Sequence, residues 1–382
     1  MSGRDCSYAS QAPQPESTST SGTPSYDSST SPGDRSSQGG SGTLPDATPL
    51  TAPSLSNPNS PKERPCLCGP KDPAHDEAIN LSHVELVAHL TLDKGMFNLT
   101  DRVDHYPSAI SFGLKTGLES PYLLHQLLAF SARHLAFLYP ERSASYLRQA
   151  DTLQSRAISL FNATAWHEDV NRSNCVPILL FSSTLAHHLL ADTLAKRDLD
   201  GLGGFMTHYV QCMEMQRGIY TIAKSAWPLL MESELEPVLS YSVGFTSQAP
   251  RGNHCKKIRE LVDRTNRLTE KERGACRLAI QYLQVGFDAV LAEGEEQPGY
   301  RYQMLFSWAM LASPEFTALL AAKRPEALVL LGYYALLLHY GRAMWQVRDA
   351  GAYILDLVVE YLDPGWHHWL EYPRDAVARD LG

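Results

Sequence analysis

Among the 382 residues there is no Cys-x-x-Cys pair, no His-Glu-x-x-His and, in the part apolar enough to fold, no Gly-x-Ser-x-Gly. These absences exclude the two-residue zinc knuckle, the zincin metalloprotease site and the nucleophile elbow of serine hydrolases. Gly40-Ser41-Gly42 lies in low-complexity sequence, and no aspartate-rich pair of the kind that holds magnesium for diphosphate chemistry sits on a helix face. Cysteine is sparse and odd in number, seven residues widely scattered, so no disulfide framework is indicated and a reducing compartment is expected. The opening Met1-Ser2-Gly3-Arg4-Asp5-Cys6 has no apolar signal core. No apolar run approaches the roughly 20 residues that span a bilayer, so no membrane span is expected. The sequons at Asn80, Asn98, Asn162 and Asn171 then read as chance matches.

Basic runs are also missing. The net charge is −9 and the isoelectric point near 5.9, which argues against a bare nucleic-acid binder. Lys256-Lys257, near Arg251 and Arg259, is the densest basic patch, and it reads as a solvated loop and helix start. Hydrophobic residues at 43% and charged residues at 20% are globular values, and the length suits one large domain or two ordinary ones.

What is present falls into three parts. Residues 1–78 are rich in Ser, Pro, Thr and Gly; they bury too little apolar surface to offset ordering entropy and are expected to be a disordered tail. Residues 79–374 read as one all-α domain, and 375–382 as a C-terminal tail. Ser82-His83-Val84-Glu85 has the form of a capping box, and Ser120-Pro121 places proline at a first helical position. From Pro121 a helix runs to Tyr139-Pro140, and helical spacing continues over 143–163, 174–195, 205–224, 270–292, 301–312, 314–322, 326–341 and 344–362. Gly244 to Asn253 and Gly294 to Gly299 read as loops, and no alternating run convinces as a strand.

Metal and phosphate sites find little support. His187 and His188 are adjacent, so on a helix they point about 100° apart, and His83 and His89 are split between faces. Trp166-His167-Glu168-Asp169 reads as a solvated helix end. Cys66-Leu67-Cys68 has the wrong spacing for a knuckle, and Cys175, Cys212, Cys255 and Cys276 read as small buried hydrophobes. Gly201-Leu202-Gly203-Gly204 follows two aspartates and reads as a helix connector, not a phosphate loop. No catalytic residue, metal or cofactor is expected. Aromatics crowd the last third, where core packing competes with a mostly apolar pocket carrying a few polar tips. Met304, Trp308, Tyr333, Tyr334 and Trp345 are the candidate ligand-binding residues.

Several stretches, in order, resemble a known family. They are Asn80 to Leu90; Leu127 to Ala136 with Tyr146 and Ala150; Arg217-Gly218-Ile219; Trp308, Phe316, Pro325 and Ala327 to Gly332; and Trp345 with Trp369 to Pro373. Together they resemble the C-terminal regulatory domain of fungal six-cysteine zinc-cluster transcription factors, particularly the sterol uptake control protein branch. The resemblance implies a helical, often dimeric module that takes a sterol or lipid-like ligand, pairs with itself or a related factor, and shuttles from cytoplasm to nucleus. The family's six-cysteine DNA reader is absent: only Cys6, Cys66 and Cys68 stand in the first part, so direct DNA binding by this polypeptide is not expected. Three readings follow: a transcription regulator whose zinc-cluster exon is missing from the sequence, a ligand-sensing or dimerising partner that never touches DNA, and an enzyme acting on an apolar metabolite. The motif search assigns no residue to the third.

Overall fold

Three- and four-residue apolar spacing, ended by Gly, Pro and short polar turns, produces helix after helix and no strand among the described residues, as the all-α reading expects. The computed structural model describes residues 79–97, 106–164, 169–197, 200–292 and 301–381, all within the unit His75–Gly382. The tail 1–78, the 166–168 part of the Trp166 to Asp169 cluster and the Gly294–Gly299 turn lie outside them.

The elements are α1 (Leu81–Leu92), α2 (Tyr106–Glu119), α3 (Pro121–Leu138), α4 (Ser143–Thr164), α5 (Cys175–Ala195), α6 (Leu202–Ser225) and α7 (Trp227–Leu230). They continue with α8 (Glu236–Thr246), α9 (Lys256–Arg264), α10 (Glu270–Val290), α11 (Gln303–Leu311), α12 (Pro314–Ala321), α13 (Pro325–Tyr340), α14 (Ala350–Tyr361) and α15 (Glu371–Leu381). Proline opens α3, α12 and α13, where its missing N–H costs nothing.

Four details differ from the sequence reading. Asn80, not Ser82, caps α1: its side-chain oxygen accepts from the His83 amide at 3.2 Å, and Ser82 instead donates to Asn80 at 2.8 Å. The loop after α8 begins at 247 because Phe245 and Thr246 are buried on the helix. Residues 341–349 are turns and not helix. There the Trp345 indole and Gln346 amide both donate to the Met96 carbonyl (3.0 and 3.2 Å), and Arg348 adopts φ 48°, which a continuing helix forbids. Residues 375–381 belong to α15, where Ala376 and Val377 are buried in the main core.

Helix α13 organises the larger half. Glu326 to His339 are buried without interruption, so this helix is apolar on every face and needs a sheath. α14 packs along it most extensively, and α10, α11, α12, α15 and α9 cover the rest. Gly351 of α14 sits directly on the α13 backbone: a Cβ there would lie 2.5 Å from the Ala335 carbonyl oxygen and the His339 nitrogen. The other half is α1–α5, with α3 packed along α4 and crossed by α1, α2 and α5. α5 is long and apolar enough to cross a membrane by composition. It carries His187, His188 and Asp192 and buries most of its length against α3 and α6, the position of a core helix.

His187 packs against Phe306, 4.9 Å between ring centroids, and burial holds its imidazole down to about 4. An unfolded histidine titrates near 6.5, so between these values the unfolded chain takes up a proton that the folded chain refuses. Stability from this residue is therefore full above about pH 6.5 and is lost as pH falls toward 4.

Two stability predictions follow from the packing. Gly351→Ala must push α14 off α13 and should lower unfolding free energy by about 1–3 kcal/mol, read by urea denaturation. Between pH 7 and pH 5 the parent should lose up to about 2 kcal/mol more than His187→Leu, because only the parent has that imidazole to protonate.

Candidate functional site

The segment Arg251–Cys255 is fixed by α10 before it turns into α9. Asp288 accepts from the backbone amides of Arg251 (2.7 Å) and Gly252 (3.0 Å), and the Gln284 side chain accepts from the Cys255 amide (2.9 Å). Gln284 also donates to Asp288 at 2.8 Å. Glycine at 252 allows this close approach: a Cβ would meet Asp288 Oδ1 at 2.4 Å and Gln284 Nε2 at 2.7 Å, and both side chains would have to shift. This anchoring presents Asn253 and His254 beside the first turn of α9.

A cleft of about 430 Å³ opens there, lined by Asn253, His254, Lys256, Lys257 and Glu260 with Tyr333 of α13 and Tyr372 of α15. His254 Nδ1 and the Tyr372 hydroxyl are hydrogen-bonded at 2.9 Å, and the Tyr333 and Tyr372 rings lie 6.0 Å apart. Lys257 pairs with Glu371 at 2.8 Å, which holds that carboxyl below the usual glutamate range. A shallower depression of about 610 Å³ continues from Tyr372 past Asp375, Ala378 and Arg379. Burial pushes the Tyr333 and Tyr372 hydroxyls up, so both are neutral donors at physiological pH.

Two features of the cleft favour an occupant. The Tyr333 hydroxyl is buried and has no hydrogen-bond partner among the described residues. Lys256 and Lys257 stand in the first turn of α9, where the helix dipole disfavours cations; Lys257 is answered by Glu371 across the rim. Both point to an anionic or polar occupant. The thiols of Cys212, Cys255 and Cys276 are buried and pushed up by that burial, the opposite of an activated nucleophile.

The five candidate ligand-binding residues do not meet in one place. Met304, Trp308 and Tyr334 pack together in the main core. The Trp308 and Tyr334 rings stack at 4.4 Å; the indole donates to Ala279 O (3.0 Å) and the Tyr334 hydroxyl to Leu305 O (2.6 Å). Their polar tips are engaged by backbone, which is how core aromatics are satisfied. Tyr333 borders the cleft, and Trp345 lies in a separate cluster with Phe130 and Met96. Sequence reasoning missed His254 and Asn253, whose signal was their place just before the Lys256-Lys257 helix start; Tyr372 it treated only as a mark of resemblance.

The two adjacent tyrosines should respond oppositely to loss of their hydroxyls. Tyr333→Phe removes an unpaired buried group and should raise unfolding free energy by about 1 kcal/mol, whereas Tyr334→Phe removes the buried hydrogen bond to the Leu305 carbonyl and should lower it by about as much. Paired denaturation curves decide.

Comparison with known proteins gives one informative similarity. The chain is 22% identical over 321 residues to a Zn(2)-C6 fungal-type transcription factor of Gibberella zeae, covering 78% of this chain and 64% of that protein. The chain thus spans less than two thirds of its relative's length. No protein-family model matches the chain. The similarity agrees with the resemblance to fungal Zn(2)-C6 factors that the motifs suggested.

Proposed function

We propose that this chain is a helical regulatory module of a fungal Zn(2)-C6-type transcription factor, working in the nucleus, and that the cleft beside Tyr333 takes its controlling ligand. The similarity along most of the chain supports the regulatory role. The observation that carries the site is a cleft that brings Tyr333, whose buried hydroxyl has no hydrogen-bond partner among the described residues, together with Lys256 and Lys257 at a helix start. A small organic anion satisfies both. Binding there would tie α9 to α13 and α15 and shift the module between states only by its differential affinity for them.

A sterol is the less favoured occupant. At Met304, Trp308 and Tyr334 it would have to break the Trp308–Tyr334 stack and both backbone hydrogen bonds, and the open cleft is lined mainly by polar side chains. DNA reading is assigned to a module other than these 382 residues, since they contain no six-cysteine cluster.

The full chain, fused to a heterologous DNA-binding domain, should change expression from a matched reporter several-fold. An inert fusion that is expressed and nuclear would overturn the regulatory reading. For the ligand, citrate, ergosterol and palmitate are compared by thermal unfolding of the purified chain. Citrate at about 100 times its Kd should add about 2.7 kcal/mol of stability, and Lys256→Ala should reduce the gain. Stabilisation by ergosterol alone would return the site to the aromatic core.

A further inference from the structure

One cluster outside the cleft joins three metal-ligating side chains from two helices. His89 and Asp93 stand four residues apart at the end of α1, so they share a face, and His134 comes from the middle of α3. One donor atom from each of the three lies within 4.8 Å of the others. His89 Nε2 and His134 Nδ1 are 3.0 Å apart, and His89 Nδ1 lies 3.8 Å from Asp93 Oδ2. We propose that His89, Asp93 and His134 form a binding site for a divalent transition-metal ion of the zinc type, with a fourth position left for water.

The geometry is close to what such an ion requires. Zinc–nitrogen bonds of about 2.0–2.1 Å in a tetrahedron put two ligand nitrogens about 3.3 Å apart. The two rings therefore need to separate by a few tenths of an ångström, the metal taking the place of the proton they share, and the Asp93 carboxylate, which lies beside the other ring nitrogen of His89, needs to swing toward His89 Nε2. The Gly95 amide donates to Asp93 Oδ1 at 2.8 Å, which leaves Oδ2 for the metal. α1 is held in register on α3 by Ser131, whose hydroxyl donates to the Leu86 carbonyl at 2.8 Å, three residues before each histidine. Trp345 and Phe137 wall the site, their ring centroids 4.8 and 6.1 Å from that of His134. Burial keeps His134 and His89 neutral at physiological pH, so their lone pairs are available. The nearest cation is Arg133, whose charge is answered by Asp192 at 2.5 Å.

This donor set is two imidazoles and one carboxylate, a combination that suits zinc, nickel or iron(II) and not calcium or magnesium. It is separate from any six-cysteine cluster, since no thiolate takes part. Bound metal would clamp the first helix of the domain to α3. The competing reading is a metal-free hydrogen-bonded histidine pair.

The test is cobalt(II) titration of the full-length chain carrying Cys66→Ser and Cys68→Ser, so that tail thiols cannot ligate. One equivalent should bind saturably with visible d–d absorption, and binding should weaken at least tenfold in Asp93→Asn and in His134→Gln, while His368→Gln leaves it unchanged. Zinc should raise the thermal midpoint of this background and not that of its Asp93→Asn variant. Asp93 is part-exposed, so that change keeps the test usable where His134→Gln does not fold. Absence of saturable binding, or binding that survives both Asp93→Asn and His134→Gln, overturns the site.

Discussion

Uninterrupted burial of α13 is the constraint on which the rest of the domain depends. A helix with no polar face gains nothing in water and must be enclosed, so the chain devotes α9 to α12, α14 and α15 to covering it. Some of the polar groups it carries inward are met locally. Thr265 donates to Glu326 Oε1 at 3.0 Å near the helix start, where the dipole favours a carboxylate, and the Tyr334 hydroxyl reaches the Leu305 carbonyl. Gly351 lets α14 approach at backbone distance, which shortens the path between the two helices and tightens the sheath on that side.

The same enclosure creates the candidate site. Where α9 and α15 pack over α13, Tyr333 is the α13 residue that borders the cleft. A ligand there would touch three elements that are also joined by core packing on α13 and by rim pairs such as Lys257–Glu371 and His254–Tyr372. A site at a seam is where binding can alter how helices pack. The stacked Trp308–Tyr334 centre, with its hydrogen bonds already made, has no such freedom.

The α1–α5 half is organised differently, around buried polar groups. Arg133 joins Asp192, His188 lies 3.5 Å from the same carboxylate, and Gln126 and the His188 Nδ1 are 3.3 Å apart. Such a network is stable only while its members remain paired, and burial keeps His188 neutral. Trp345 links this half to the turn after α13, through its hydrogen bond to Met96 and its packing on Phe130.

The sequence alone determined the fold class and most helix positions, because strong three- and four-residue periodicity over 121–138, 143–164, 175–195 and 270–290 leaves no other way to bury those side chains. It also placed Cys175, Cys212, Cys255 and Cys276 inside. It missed α2, short α7 and α8, and the extent of α15, whose patterns are weak and whose helicity comes from packing. Composition identified the aromatic-rich third, but not that Tyr333 and Tyr334 face opposite surroundings: adjacent residues on a helix diverge by about 100°. Nor did it show that His89 lies against His134, 45 positions away, or that Gly252 needs Asp288. Periodicity is a local property carried by each segment, whereas a site is a meeting of segments. Only the tertiary packing of α1 on α3, and of α9 and α15 on α13, decided which side chains share a space.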